Sequence, residues 1–220
     1  MTRVPTPSIG RRSVIVGASS ATLSLVLPYG PGAAATKLTA TPRQTAGPFY
    51  PIDWSGDIDN DLVVVTGEAA TSLGQVVHIN GRVLDLDGNL IDDALVEIWQ
   101  CDANGVYHHP RDERGTRRRD AGFQGRGRTR TDASGRYTFR TIRPVPYPGR
   151  TPHIHFAVDV PDRRTLVTQM YVFGEALNER DGILNSIRDP RQRDSVIVRL
   201  DQANGVEPGS LACTFDIVVG

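Results

Sequence analysis

The chain has 220 residues, and its 25 basic and 25 acidic side chains give a formal net charge of zero at pH 7. This balance argues against nucleic acid as the main partner, because binding to a phosphate backbone needs clustered positive charge. No apolar run reaches the roughly 18 residues of a membrane-spanning helix, so we expect no membrane span.

Residues 1–35 have the composition of an export leader. Arg11 and Arg12 precede a moderately apolar run that ends at Leu27, and three alanines follow at 33–35. The paired arginines favour twin-arginine export to the periplasm or the extracellular space, with an ordinary secretory signal or an N-terminal tail as alternatives. The leader holds three arginines and no acids, so the remainder has 22 basic and 25 acidic residues and a formal charge of −3.

The rest of the chain is predicted to be an irregular arm, residues 36–74, followed by one domain, residues 75–220. The arm is polar and rich in proline and glycine. From residue 75 onward, short apolar runs alternate with turn signals, which is typical of an antiparallel β-sandwich. We predict strands at 77–83, 94–100, 136–142, 153–160, 166–173, 195–200 and 211–219, and short helices at 175–187 and 189–193. The fold class is therefore all-β, with an irregular N-terminal arm and one or two short helices.

Two histidines and two tyrosines form a candidate metal site. His153 and His155 are one residue apart in a predicted strand, where side chains alternate between faces, so both project to the same side. Tyr107 and Tyr147 lie in turn-rich segments, and loops on a rigid scaffold often carry function. One ion could take all four side chains.

The donor types favour ferric iron. A phenol titrates near ~10, so an ion that binds two of them at neutral pH must be a strong Lewis acid. Two phenolates and one hydroxide around Fe(III) give a formal charge of about zero, which avoids burying net charge. Zinc usually takes thiolate, imidazole and carboxylate ligands, and ferrous oxygenases add a carboxylate to two histidines. Copper remains an alternative.

Five segments, in the same order along the chain, resemble the intradiol ring-cleavage dioxygenases, the family of protocatechuate 3,4-dioxygenase and catechol 1,2-dioxygenase. They are G-P-F-Y-P at 47–51, V-E-I-W-Q-C-D-A-N-G-V-Y at 96–107, G-R-T-R-T-D-A-S-G-R-Y-T-F-R-T-I-R-P-V-P-Y-P at 127–148, R-T-P-H-I-H-F at 150–156 and T-Q-M-Y at 168–171. Only five residues separate Tyr147 from His153, where familiar members have a longer insert that walls the substrate pocket. The N-terminal helical segment of catechol 1,2-dioxygenases is also missing, which indicates a compact, single-domain branch.

The resemblance implies that Tyr107, Tyr147, His153 and His155 are the four Fe(III) ligands, with Tyr147 the one that leaves the metal when substrate binds. Arg150 and Gln169 match the arginine and glutamine that lie beside those ligands. The implied reaction joins O2 to a small catechol-type diol. Its ring would open between the two hydroxyl-bearing carbons to give a muconate-type dicarboxylic acid.

A non-catalytic module is the alternative. Residues 81–99 and 131–139 also resemble transthyretin-like and carbohydrate-binding sandwich modules, which bind or connect and do not catalyse. Tyr147, His153 and His155 favour the enzyme, because a structural module has no need of that spacing.

Some questions stay open at the level of sequence. Cys101 and Cys213 are the only cysteines, and an exported chain could join them or keep two buried thiols. The basic run 111–120 is predicted to be a solvated loop, with a subunit contact or a steering surface for anionic aromatic acids as the alternatives. The number of subunits is not fixed, a homo-oligomer included.

Overall fold

A computed structural model describes residue 2 and residues 37–112 and 118–220. The predicted leader lies outside these residues, apart from Thr2, and so does the part of the basic run at 113–117. The strands are β1 (Val76–Asp85), β2 (Leu95–Trp99), β3 (Arg126–Arg130), β4 (Arg136–Ile142), β5 (His153–Asp159), β6 (Leu166–Val172), β7 (Ile197–Val198), β8 (Asp201–Gln202), β9 (Leu211–Thr214) and β10 (Ile217–Val219). The helices are a 3-10 turn (Ala176–Glu179), α1 (Gly182–Asn185) and α2 (Pro190–Ser195).

The strands form two five-stranded sheets. In the first, β1 pairs with β4 on one side and with β9 and β10 on the other, and β8 pairs with β9. The second has the order β3-β2-β5-β6-β7. The all-β prediction is confirmed, but the sheets are mixed, because β1 runs parallel to β9 and β10 and β6 runs parallel to β7.

The predicted strand 211–219 is divided into β9 and β10 by a local interruption of the ladder. β1 is long enough to pair with both pieces in succession, first through Val77–Asn80 and then through Val83–Asp85. Between them, the backbone N–H of Arg82 donates to the Asp216 carboxylate at 2.9 Å instead of to a backbone carbonyl. A side chain therefore replaces one rung of the ladder.

The core lies between the two sheets and has an aromatic centre. Phe139 of β4 and Phe156 of β5 meet edge to face with ring centroids 6.4 Å apart, and Phe215 contacts Phe156 at 5.0 Å. Gly81 of β1 makes room for the Tyr137 ring, since a Cβ there would lie 2.6 Å from its Cζ. Glycine in this strand is a packing requirement rather than a turn.

The arm is irregular, as predicted. Its described part, 37–74, has no helix or strand beyond a single β-bridge at Asp61. Backbone hydrogen bonds tie it to both sheets, from Thr41 to Val218 (3.0 Å) and from Gln44 to Val167 (2.8 Å). The arm and the sandwich belong to one compact unit, Ala35–Gly220.

The two cysteines are not bonded to each other. Cys213 is buried between the sheets, whereas Cys101 belongs to a second buried cluster with Trp99 and Tyr107. Of the two possibilities left open by the sequence, a disulfide or two buried thiols, the structure has two buried thiols. None of the helices in the described ranges is long and apolar enough to cross a membrane.

Candidate metal centre

The two histidines converge at the heart of the second sheet. His153 and His155 are 1% and 2% exposed, and their Nε2 atoms are 3.2 Å apart. Both project to the same side of β5, as the strand periodicity predicted. The His155 ring stacks on Trp99 of the neighbouring β2, with centroids 4.8 Å apart and an interplanar angle of 6°. That contact fixes the plane of the imidazole.

The hydrogen bonds of His153 determine which of its ring nitrogens has a lone pair. His153 Nδ1 lies 2.6 Å from the Thr151 carbonyl oxygen. A carbonyl can only accept, so Nδ1 carries the proton and Nε2 has a lone pair. His155 Nδ1 is buried without a hydrogen-bond partner. Burial lowers the pKa of His153 to about 4 and that of His155 well below 6.5, so both rings are neutral at pH 7.

The two tyrosines complete the cluster from separate loops. Tyr107 is 2% exposed, and its ring centroid lies 5.4 Å from that of Tyr147 and 6.2 Å from that of His155. Tyr147, which is half-buried, lies 5.4 Å from His153 by the same measure. The structure therefore brings together all four predicted donor residues.

These donors fit a ferric ion. The Tyr107 hydroxyl is buried without a well-formed hydrogen bond, and burial raises the pKa of Tyr107 well above 10. Burial also raises the pKa of Tyr147, although the Arg150 charge opposes the shift. A buried, unpartnered phenol is costly unless something replaces its lost hydration. A strongly Lewis-acidic cation would do so by taking the oxygen as phenolate.

A metal ion bound at this cluster would need the two tyrosine oxygens as ligands. In the ranges 37–112 and 118–220, no group of three or more His, Cys, Asp or Glu side chains could hold a metal ion. The donor set is therefore two imidazoles and two phenols, which suits Fe(III) better than the usual zinc or ferrous sets.

Arg150 lies against the metal-ligand candidates. Its Nη1 is 3.3 Å from both the Tyr147 hydroxyl and His153 Nε2, while Nη2 donates to Gln169 Oε1 at 2.6 Å. Its Nε donates to the fully buried Asp181 carboxylate at 2.8 Å. The guanidinium is thus held from three directions beside the cluster.

The residues that hold Arg150 and Gln169 were not predicted from the sequence. Asp181 accepts from Arg150 and Thr151 through Oδ2, and it caps α1 by accepting from Ile183 and Leu184 through Oδ1. Its position before a short helix is a capping signal, but nothing local shows that it reaches Arg150. Gln44 of the arm was also missed.

Gln44 connects the arm to β6. Its amide donates to the Tyr171 hydroxyl at 2.7 Å, and Tyr171 donates to Gln169 Oε1 at 3.0 Å. The side-chain Oε1 of Gln44 accepts from the Gln169 backbone N–H at 2.9 Å. The arm therefore contributes to the placement of Gln169 and, through it, of Arg150.

Aromatic and glycine residues of the arm cover the cluster. Phe49 stacks on Tyr107 with centroids 4.8 Å apart and meets Tyr147 at 6.4 Å. A Cβ on Gly47, whose φ is +70°, would lie 3.5 Å from His155 Cε1. The 47–51 motif thus packs directly on the donor residues.

The remaining histidines lie around the site or away from it. His109 meets Phe49 at 5.8 Å, and His108 lies 3.0 Å from an Arg126 nitrogen. His78 pairs with Glu207 at 3.2 Å on the other sheet.

Fold and cluster together define a β-sandwich protein with a buried two-tyrosine, two-histidine centre. Comparison with known proteins agrees. A family profile described as Dioxygenase matches residues 45–220. The chain is 38% identical over 186 residues to the protocatechuate 3,4-dioxygenase beta chain of Burkholderia cepacia, a match that covers 80% of this chain and 78% of the relative.

Two further matches extend the comparison. Hydroxyquinol 1,2-dioxygenase of Corynebacterium glutamicum is 31% identical over 173 residues, and the match spans 52% of that protein. Among solved structures, the dioxygenase domain of a dioxygenase carbohydrate-binding protein fusion from Streptomyces sp. SirexAA-E superposes with a TM-score of 0.63 at 30% identity, covering 82% of this chain and 98% of that one. The chain belongs to the intradiol ring-cleavage dioxygenase family and is an oxidoreductase.

Proposed function

We propose that this chain uses Fe(III) and O2 to cleave a catechol-type diol between its hydroxyl-bearing carbons, giving a muconate-type dicarboxylic acid. The observation that carries the proposal is the convergence of two imidazole Nε2 atoms, 3.2 Å apart, with two phenols, one of them buried without a well-formed hydrogen bond. The names of the similar proteins support the same chemistry.

Tyr107, Tyr147, His153 and His155 are the proposed ligands. Bound Fe(III) would supply the Lewis acidity that ionises phenols and a diol at neutral pH. Tyr107 is fixed by burial, whereas Tyr147 is half-buried and lies on a loop. Tyr147 is therefore the better placed of the two phenols to move and to accept a substrate proton at its Oη.

Arg150 and Gln169 are proposed to stabilise and orient the reacting ring. The Arg150 guanidinium is cationic at every working pH and lies beside the donor atoms, so it can stabilise negative charge that develops on the substrate. Gln169 holds Nη2 of Arg150 at 2.6 Å. The Phe49 ring, stacked on Tyr107, excludes water from that side.

Metal content and product analysis test the proposal. We expect purified protein to contain iron and to show a visible phenolate-to-Fe(III) absorption that changes when catechol is added under nitrogen. With oxygen-18 gas, mass spectrometry should find label in both carboxylates of the product. A preparation that neither contains nor takes up ferric iron would contradict the proposal.

Substitution of Tyr147 tests its proton-accepting role. Tyr147→Phe should keep bound iron, because Tyr107 and both histidines remain, but substrate binding should slow by about a hundredfold, within the range of general-base contributions. Stopped-flow absorption under nitrogen measures that step. Unchanged substrate binding would remove the role, whereas His155→Ala should lose the iron itself.

We also propose that residues 1–35 direct export by the twin-arginine route, to the periplasm or the extracellular space, and that the chain forms a homo-oligomer. The paired arginines, the apolar run and the alanines of the sequence support the export proposal. The name of one relative as a beta chain supports assembly of several chains. Cell fractionation of the wild type and of a variant with lysines at positions 11 and 12 tests the first part, and light scattering of the purified protein tests the second. Accumulation of both forms in the same fraction contradicts twin-arginine export.

A further inference from the structure

A small cavity opens beside Tyr147. Its volume is about 170 Å³, and the residues that line it include Tyr147, Arg150, Leu177 and Arg180. This is smaller than the ~300 Å³ at which drug-sized ligand pockets begin, so it suits a single substituted ring. Gly149 also lines the cavity and has open space around it, since a Cβ there meets nothing within 4 Å.

The two arginines of this cavity differ in their partners. Arg150 forms an ion pair with Asp181 at 2.8 Å and donates also to Gln169. Both Asp181 oxygens are already used, by Arg150 and Thr151 on one side and by the first turn of α1 on the other. The Arg180 side chain makes no hydrogen bond and no ion pair with any residue in 37–112 or 118–220.

The lining of the cavity therefore includes one guanidinium, that of Arg180, that has no ion-pair partner among the described residues. The Arg150 guanidinium, which also lines the cavity, is 3.3 Å from the Tyr147 hydroxyl and from His153 Nε2. Leu177, 42% exposed, adds an apolar surface to the lining. Because Tyr147 and Arg180 line the same small cavity, a ring whose diol lies at Tyr147 can place a substituent at Arg180.

We propose that Arg180 determines substrate specificity by binding an anionic ring substituent, so that the substrate is a catechol bearing a carboxylate rather than an unsubstituted one. This inference rests on the proposed function. A guanidinium presents paired N–H donors that match the two oxygens of a carboxylate. Arg180 has all of its donors available, whereas those of Arg150 are taken up by Asp181, Gln169 and the donor cluster.

Binding of three diols tests this assignment. Protocatechuate, its neutral methyl ester and catechol are titrated into iron-loaded protein under nitrogen and followed by calorimetry. Wild type should bind protocatechuate at least about tenfold more tightly than the methyl ester, the discrimination expected for one charged hydrogen-bonded contact. Arg180→Gln should remove most of that difference and leave the affinity for catechol within about twofold.

Arg188→Gln is the matched control. Arg188 is also exposed, but it lines a different groove, and its replacement should leave all three affinities unchanged. Equal affinities of wild type for protocatechuate and its ester, or equal losses for both in Arg180→Gln, would overturn the assignment. Discrimination in binding without any ring cleavage would overturn the proposed function and leave the role of Arg180 intact.

Discussion

At the level of single residues, the surroundings of the Tyr107 hydroxyl are the strongest indication of a metal site. This hydroxyl is buried without a well-formed hydrogen bond, and the ring that carries it contacts the rings of Phe49 and Tyr147. A buried polar group in this condition costs ~1–3 kcal/mol of stability, and native structures contain few of them. The fold therefore accepts a local cost that metal binding would offset.

This leads to a prediction for iron-free protein. Tyr107→Phe removes the unpartnered hydroxyl, so iron-free Tyr107→Phe should be at least as stable as the iron-free parent, with a Tm equal or higher by about 2–4 °C per kcal/mol gained. The same substitution should weaken ferric iron binding. Thermal unfolding of iron-free protein and iron titration measure the two effects.

Tyr137→Phe provides the comparison, because the Tyr137 hydroxyl is equally buried but donates to the Phe215 carbonyl at 2.5 Å. Its loss should destabilise the protein by about 1 kcal/mol. If Tyr107→Phe lowers the Tm of iron-free protein as much as Tyr137→Phe does, the Tyr107 hydroxyl has a structural partner.

That the four proposed donor residues lie close together could be predicted from sequence, because each lies in a recognisable local pattern, alternation in β5 for the histidines and turn signals for the tyrosines. The residues that orient Arg150 could not. Asp181 is 31 positions from Arg150 along the chain, and Gln44 is 125 positions from Gln169. Their contacts depend on how the arm and the segment after β6 pack, which no local pattern encodes.

At the scale of elements, the arm contacts the proposed donor residues and the residues beside them. Gln44 makes hydrogen bonds to Tyr171 and to Gln169 of β6, while Gly47 and Phe49 pack on His155 and Tyr107. The arm lacks strands of its own, so side-chain bonds and backbone bonds to the sheets have to hold it in place. Its position thus couples directly to the geometry of Arg150.

Removal of the Gln44 amide should slow turnover. Gln44→Ala loses the bond to Tyr171 and leaves Gln169 free to shift away from Arg150, so kcat should fall by about tenfold, equivalent to ~1.4 kcal/mol of the barrier. Steady-state kinetics with catechol measures this. Gln192→Ala is the control, because Gln192 also bonds the arm, at Ala40, but far from the donor cluster. Equal losses in both variants would show that only general arm stability matters.

The strands show where sequence patterns succeed and where they fail. The core strands β1, β4 and β5 alternate apolar residues and β6 is mostly apolar, and all four were predicted. β3 was missed because its sequence, Arg-Gly-Arg-Thr-Arg, has no apolar alternation, as suits a charged strand at a sheet edge. β8 was also missed. The predicted helix 175–187 is divided into a 3-10 turn and α1, with Asp181 capping α1 between them.

For the whole molecule, the buried histidines link stability to pH. Burial lowers the pKa of His153 from 6.5 to about 4, with the Arg150 charge acting in the same direction. Burial also lowers the pKa of His155 well below 6.5, with His153 and Arg150 as further causes. In the unfolded chain both imidazoles take up protons near pH ~6.5. The unfolded state therefore binds more protons than the folded state below that pH.

The sign of the pH effect follows from this difference. A group whose pKa is lower in the folded protein gives its full stability above the unfolded pKa and loses it as the pH falls towards the folded pKa. Iron-free protein should therefore lose stability between pH ~6.5 and ~4, by up to about 1.4 kcal/mol per pH unit for each histidine. Urea unfolding across this range measures the slope. Burial raises the pKa of Glu97, and the hydrogen bonds from Arg140 lower that of Glu207, so two carboxyls also contribute near this window. The contribution of His153 is therefore the difference in slope between the parent and His153→Gln, in which the slope should be smaller. Equal slopes in the two proteins would mean that His153 is protonated in the folded protein, and the buried, neutral donor cluster proposed for ferric iron would not exist.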